Sequence, residues 1–422
     1  NWDGVFVILV RAVQNDTVEA NDLNVVAVSD SDISPIQGHT FMDGYGTGLD
    51  LEQSGPVMLR YGVDDNGEDS SDNETDVAPT EADNPEVVEF DEAASVDRFF
   101  VNNMDASKDE VSVGSLERAG ADDGRLAHLD ALDLADYPDL MLFNHSSLGS
   151  ERMVFSNMEY AELNLGKEED QFTVHNTIYR EDFQTFTVLN TGDGDDEIVV
   201  QSYVDDQDGQ LIINAGAGDD TIIAAGENVS KPGLIVFGGF GNDNIEVGSH
   251  VYAFGDRGQV AYHKYDPDAE LNQGELISLF GSTNEGSDYT TPTDKSASNY
   301  FQTDGIFRAP AFIQSMDDDS ERNGNDTISV SGSNNVVLGG GASDIIEIAG
   351  SDNIALGDGG KITFVTGDDR GLSYGESAGD VQIDRVQTKA DEHGANDKIT
   401  VGDGANIIFG GAGSDLLQAG AG

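Results

Sequence analysis

Cysteine is absent from this 422-residue chain, so disulfides and thiolate zinc sites are excluded. Basic side chains are scarce: 20 Lys and Arg stand against 81 Asp and Glu, for a formal net charge of −61. Nucleic acid and anionic membrane surfaces repel such a chain, and neither is an expected partner. No apolar run approaches the roughly 18 residues a membrane-spanning helix needs, so no membrane insertion is expected. Aromatic residues make up 8% and hydrophobic residues 37%, which argues against one large globular core. No secretory leader is visible. The chain opens Asn1-Trp2-Asp3 before the strand-like run Val5-Phe6-Val7-Ile8-Leu9-Val10, and closes on Gly420-Ala421-Gly422 inside a repeat. Both ends read as cuts in something longer.

Glycine is abundant, 51 residues in all. Because glycine weakens strand interiors, that excess points to many turns. Residues 1–62 carry short alternating strands, among them 23–28 and 57–61. Residues 63–95 read as an acidic linker or loop: between Arg60 and Arg98 there are 14 acidic residues and no Lys or Arg. Short strands resume near residue 96, and Leu126–Tyr137 could form a short helix ended by Pro138. From 163 onward an apolar strand of four or five residues alternates with a Gly/Asp turn, apart from irregular stretches near 264–312 and 366–391.

The turns repeat. Thr191-Gly-Asp-Gly194-Asp-Asp196-Glu-Ile198, Ala215-Gly-Ala-Gly218-Asp-Asp220-Thr-Ile222 and Gly238-Gly-Phe-Gly241-Asn-Asp243-Asn-Ile245 place their closing Asp residues 24 and 23 positions apart, with Asp170 26 before Asp196. Asp326, Asn335, Asp344 and Asn353 follow one another at steps of nine, as do Asp397, Asn406 and Asp415. Nine residues make one turn and one short strand, half a rung of a parallel β-roll. Eighteen return the chain to the same edge, one strand spacing (about 4.8 Å) along the axis. The glycines permit left-handed backbone and inward carbonyls. The Asp aims a carboxylate between stacked turns, and the apolar residue two places on (Ile198, Ile222, Ile245, Ile328, Ile346, Ile399, Leu417) faces the core. Carboxylates and carbonyls from two turns are the oxygen ligands that Ca²⁺ prefers.

These nonapeptides resemble the RTX, or hemolysin-type calcium-binding repeat, family, whose Gly-Gly-x-Gly-x-Asp-x-apolar-x unit is a calcium-binding β-helix repeat. The resemblance covers roughly 163–262, 313–365 and 392–422. It implies an all-β fold, a parallel β-helix or β-roll solenoid with Ca²⁺-binding turns preceded by a small β-domain. It implies an irregular β-helix over 96–262, an insertion at 263–312, a β-roll block at 313–365, an insertion at 366–391 and the start of a further block at 392–422. The metal ligands it implies are Asp170, Asp196, Asp220, Asp243, Asp326, Asp344, Asp397 and Asp415, with the turn glycines Gly194, Gly218, Gly241, Gly324 and Gly413. Two departures matter: Ala342 stands at the fourth position of its turn, and Asn335, Asn353 and Asn406 replace Asp along the opposite edge. Those Asn turns form an amide ladder or hold calcium weakly. A longer echo links Phe254-Gly255-Asp256-Arg-Gly258 to Leu356-Gly357-Asp358-Gly-Gly360, 102 residues on, as in multi-domain bacterial RTX surface proteins.

No other constellation competes. The seven His residues (39, 128, 145, 175, 250, 263, 393) show no metalloprotease spacing and read as solvated or turn residues. The Gly-x-Ser-x-Gly matches at 371–375 and 375–379 lack the strand and helix of a nucleophile elbow. The run Asp317–Asp319 reads as a solvated loop. The expected function is a calcium-dependent structural or adhesive segment, extracellular or at a cell surface. Its partners would be Ca²⁺ and neighbouring repeats or other surface or matrix molecules, and no enzyme activity is expected. The alternative is a polysaccharide lyase or epimerase on a parallel β-helix, with Tyr262, His263, Lys264 and Tyr265 as the nearest basic and aromatic cluster.

Overall fold

The computed structural model describes most of residues 97–263, 310–364 and 383–421, together with strands at 6–9, 24–27, 40–43, 276–281, 307–308 and 371–372. The acidic stretch 63–95, the strand expected at 57–61, the Asp317–Asp319 run and both Gly-x-Ser-x-Gly serines lie outside the described residues. The fold is nearly all β, and long parallel sheets make it a β-helix or roll. Of the helix expected at 126–137, residues 126–129 lie in the 3-10 turn Gly124–Leu129, and 130–136 lie outside the described residues. Among the described residues no helix is long and apolar enough to cross a membrane.

Two sheets face each other. A 13-stranded sheet runs through Asp170–Val174, Glu197–Val200, Thr221–Ala224, Asn244–Val247, Thr327–Val330, Ile345–Ile348, Lys398–Val401 and Leu416–Ala419. A 10-stranded sheet runs through Tyr160–Asn164, Phe186–Asp193, Gln210–Ala217, Leu234–Phe240, Val251–Phe254, Val336–Gly340, Ile354–Asp358 and Ile407–Phe409. The period-2 alternation of each strand sends one set of side chains inward. In the first sheet, Phe172, Ile198, Ile222, Ile245, Ile328, Ile346, Ile399 and Leu417 stand in one hydrogen-bonded column. The isoleucines are fully buried, whereas Leu417, on the last rung, is 45% exposed. Leu163, Leu189, Ile213, Val236, Ala253, Val337, Ala355 and Ile408 oppose them from the second sheet.

This column holds a result the spacing did not give. The three arrays are one array. Asn244–Val247 pairs directly with Thr327–Val330, and Ile345–Ile348 with Lys398–Val401. The insertions between them loop out and return to the next rung, so residues 392–422 continue the 313–365 block. The early strands join in as well. Phe6–Leu9 and Thr40–Asp43 extend the first sheet, and Asn24–Ala27 extends the second. The solenoid thus reaches further toward the start of the chain than a separate region at 1–62 implied.

The insertions are not irregular throughout. Leu276–Gly281, Gly258–His263, Phe312–Ser315, Gly360–Phe364 and Ile383–Thr388 form one five-stranded sheet whose pairings are antiparallel. Leu276–Gly281 lies in the first insertion and Ile383–Thr388 in the second, so both insertions contribute to it. It covers the outer face of the second sheet, where Val260, Ile313, Ile362 and Phe364 pack with Phe237, Phe254, Leu338 and Leu356 in a second buried cluster. That cover explains why strands such as Leu234–Phe240 are apolar on both faces.

Candidate metal centre

All the motif Asp residues fall on one edge of the solenoid, where the chain crosses from the second sheet to the first. The turn is built from six residues. In Gly238-Gly239-Phe240-Gly241-Asn242-Asp243 the second and fourth are left-handed, with φ of 116° at both Gly239 and Gly241, a conformation that glycine adopts without strain. Ala342 takes the fourth position of its turn at φ 67°, the departure from glycine noted above.

Stacking the turns aligns the Asp side chains into a ladder. The backbone N–H of Asp170 donates to Oδ1 of Asp196 at 2.7 Å, and the next links run Asp196 to Asp220 (2.8 Å), Asp220 to Asp243 (2.9 Å) and Asp243 to Asp326 (2.8 Å). Asp326 to Asp344 and Asp344 to Asp397 (2.8 Å each) and Asp397 to Asp415 (3.1 Å) complete it. The ladder crosses both insertions without a gap. One position earlier in the turn an exposed ladder runs the other way: Asp195 accepts from Asp219 N–H, Asp219 from Asn242, Asn242 from Asn325 and Asn325 from Ser343.

The ladder uses one oxygen of each carboxylate. The other, Oδ2, is buried without a hydrogen-bond partner at Asp196, Asp220, Asp243, Asp326, Asp344 and Asp397. A buried acceptor left unpaired is costly, and a buried unpaired charge more so. Burial and then a neighbouring row carboxylate push these groups up: Asp196 to about 9, with Asp220 the neighbour, and Asp220 to about 8, with Asp243. Asp243, Asp326 and Asp344 rise well above the carboxylate range for the same reasons, with Asp326, Asp256 and Asp326 as the respective leading neighbours. Burial lifts Asp397 to about 7, and Asp358 and Asp415 add to it.

Each Oδ2 from Asp243 onward faces a space that only glycine leaves open. A Cβ on Gly238, Gly255, Gly339, Gly357 or Gly410 would lie 2.2–2.4 Å from Oδ2 of Asp243, Asp326, Asp344, Asp397 or Asp415 respectively. At the first four, the same point is 2.2–2.6 Å from the carbonyl oxygen of Gly255, Gly339, Gly357 or Gly410 in the next rung. A carboxylate oxygen and a carbonyl oxygen thus converge on one cradle per rung. The register puts Ala215 and Thr191 at the places of Gly238 and Ala215 in the two earlier turns, and the Thr191 hydroxyl donates to Ala215 O at 2.8 Å. Side chains therefore stand in the cradles of Asp196 and Asp220. Among the candidate glycines, the carbonyls of Gly194, Gly218 and Gly241 face the next rung so closely that a Cβ on Gly218, Gly241 or Gly324 would lie 1.9, 2.0 or 1.4 Å away. Gly413 occupies the same fourth position in the last turn, with φ 119°.

No family model, curated protein or solved structure matches the chain. The site's chemistry rests on its own geometry. Among the described residues no three His, Cys, Asp or Glu side chains gather into a metal cage. The row instead offers one carboxylate per turn, with backbone carbonyls to complete a ligand set.

Asp170 departs from the expectation. Its Oδ2 accepts the N–H of Gly166 at 3.3 Å, and Oδ1 lies 3.8 Å from Nε2 of His145. His145 is not a solvated histidine: its side chain is fully buried, and its Nδ1 accepts the N–H of Ser147 at 3.2 Å, leaving the proton on Nε2 toward Asp170. Nothing in the spacing of His145 revealed this, because it sits on a strand turned back antiparallel between Ser112–Arg118 and Met153–Ser156.

On the opposite edge Asn335 donates from both its backbone N–H and its Nδ2 to Oδ1 of Asn353, at 2.9 and 3.0 Å. Asn353 does the same to Asn406, at 3.0 and 3.1 Å. Oδ1 of Asn335 in turn accepts the N–H of Val251 at 2.8 Å. This is the amide ladder.

Proposed function

We propose that this chain is a calcium-dependent structural segment of an extracellular or cell-surface protein of the RTX type, and that it gains its full stability on binding Ca²⁺. The observation that carries the reading is the buried row of orphaned Asp Oδ2 atoms facing glycine cradles. Asp243, Asp326, Asp344, Asp397 and Asp415 would hold the ions, with the carbonyls of Gly255, Gly339, Gly357 and Gly410. Hard oxygen donors of this kind suit Ca²⁺, which accepts flexible sets of carboxylates and carbonyls. The ion would supply the positive charge that the row lacks.

The consequence is linkage. A ligand that binds the folded chain and not the unfolded one adds its binding free energy to folding. Where calcium is scarce the carboxylates repel one another and the roll is weak. In the millimolar calcium outside cells it becomes a rigid rod, suited to spacing or adhesion between neighbouring repeats or matrix molecules. The test is far-ultraviolet circular dichroism and thermal unfolding in calcium and in chelator. Calcium is expected to strengthen the β signal and raise the midpoint. An equal midpoint in both solutions overturns the reading.

A further inference from the structure

Two turns of the carboxylate row are discontinuous in the chain. After Val251–Phe254 the turn begins as Gly255-Asp256, leaves into the cover sheet at Gly258, and returns as Asn323-Gly324-Asn325-Asp326. After Ile354–Leu356 it begins as Gly357-Asp358, leaves at Gly360, and returns as Gly394-Ala395-Asn396-Asp397. Both breaks fall between the second and third residues of the six. With Gly at position 256, joining the halves would read Gly-Gly-Asn-Gly-Asn-Asp, an unbroken repeat.

In the continuous turns the second residue is a left-handed glycine, with φ of 116° at Gly239, 122° at Gly340 and 112° at Gly411. In the split turns it is Asp, and the carboxylate does the work of the missing bend. Oδ1 of Asp256 accepts the N–H of Gly324 at 3.1 Å, and Oδ2 that of Gly341 at 2.6 Å. Oδ1 of Asp358 accepts the N–H of Ala395 at 3.1 Å, and Oδ2 that of Ala412. In both cases these are the fourth residue of its own turn and the third residue of the next. Both side chains are buried. In continuous turns the fourth-position N–H goes instead to a carbonyl of the next rung, as from Gly194 to Ala217 and Gly218 to Phe240, both at 2.8 Å.

We propose that each pair of half-turns is a composite cation site, closed by Asp256 or Asp358 as a positioning residue. This rests on the cation reading above. The orphaned carboxylate and its cradle come from different halves: Oδ2 of Asp326 faces Gly255, and Oδ2 of Asp397 faces Gly357, each 2.2 Å from where a Cβ would stand. An ion held there ties together the two ends of an insertion, 257–322 in one case and 359–393 in the other, and so fixes the cover sheet to the roll. Asp256 and Asp358 hold the halves in register and add fixed negative charge beside Asp326 and Asp397.

Calorimetric Ca²⁺ titration of the full chain tests this with Asp256→Ala and Asp358→Ala. Each variant is expected to lose one bound ion, or to bind its weakest ion at least on the order of tenfold less tightly, with the remaining sites intact. A merely structural role would lower the thermal midpoint without changing the number of ions. Asp256→Asn keeps the Oδ1 acceptor and loses the charge, and it carries the test if the alanine variant does not fold. Wild-type stoichiometry and affinity in the folded variants overturn the proposal and leave the cation reading standing. A wild-type chain that binds no Ca²⁺ overturns both.

Discussion

The two edges of the solenoid solve one stacking problem with side chains of nearly equal shape. On the Asn edge Oδ1 of Asn353 and of Asn406 each receives a backbone N–H and the Nδ2–H of the same neighbour, so the ladder is neutral. On the Asp edge the backbone bond is kept, but an oxygen replaces the amide nitrogen and has no donor to meet. The surroundings differ to match. The first position of each Asp turn from Asp243 onward is a glycine (Gly238, Gly255, Gly339, Gly357 and Gly410), whereas five residues before Asn335, Asn353 and Asn406 stand Val330, Ile348 and Val401, all buried in the core. Asn needs no room for an ion. Asp in this row does, and the lesson is that an open cradle together with a charge, rather than Asp alone, marks the cation edge.

The largest effect that separates the edges is on pH. The carboxyls of Asp196, Asp220, Asp243, Asp326, Asp344 and Asp397 titrate near 3.8 when free, but in the metal-free fold they are raised, Asp220 to about 8 and Asp196 to about 9. At these groups the folded protein therefore binds more protons than the unfolded chain between about pH 4 and pH 9, so their contribution to stability falls as pH rises. In chelator, the urea midpoint is expected to be highest near pH 4–5 and to drop steadily toward pH 8. In calcium the drop should shrink, because the ion takes the place of the protons. A chelator midpoint that climbs over this range would break the comparison.

A smaller effect comes from making one rung of the Asp edge resemble the Asn edge. In Asp344→Asn the Oδ1 acceptor for Asp326 N–H is kept, and a buried carboxyl whose ionisation the fold opposes disappears from between Asp326 and Asp397. In chelator at neutral pH the variant is expected to gain about 1–3 kcal/mol, with a shallower pH slope. In calcium it should lose stability relative to wild type, because a ligand is gone. Thermal unfolding in both solutions gives the two signs, and a loss in both would remove the case for an uncompensated charge at this rung.

Much of this was legible beforehand. The nine-residue step fixed both edges from Asp326 onward, and the shared turn motif fixed the inward column from Ile198 to Leu417, because a period tied to strand spacing leaves little freedom. The continuity of the row was hidden, since insertions set Asp243 and Asp326 83 positions apart and Asp344 and Asp397 53 positions apart. The echo of Gly255-Asp256 in Gly357-Asp358 was visible, but only the fold shows that these carboxylates enter the row. The distinction between Gly238 and the Ala215 and Thr191 before it was also in the sequence. It gains meaning once the cradle is seen, because the Thr191 and Ala215 turns match the repeat at all its other fixed positions. His145 carried no signal, since its partner Asp170 is reached through an antiparallel return that no repeat announces.

The smallest expected effect is the converse substitution, Asn353→Asp. Oδ1 can still accept both donors from Asn335, but the atom replacing Nδ2 would face Oδ1 of Asn406, acceptor against acceptor, where the amide now donates at 3.1 Å. The loss is one hydrogen bond plus the desolvation of one acceptor, about 1–3 kcal/mol at neutral pH. Protonation restores a donor, so the deficit should fade as the pH is lowered toward 4. Calcium should not restore it, because the buried side chain of Ile348 stands where the Asp edge has glycine. Thermal unfolding of this variant at pH 5 and pH 8, with and without calcium, separates the two contributions. Rescue by calcium would mean that charge alone makes a cation turn and that the glycine cradle is dispensable; rescue by acid alone assigns the selectivity to the cradle.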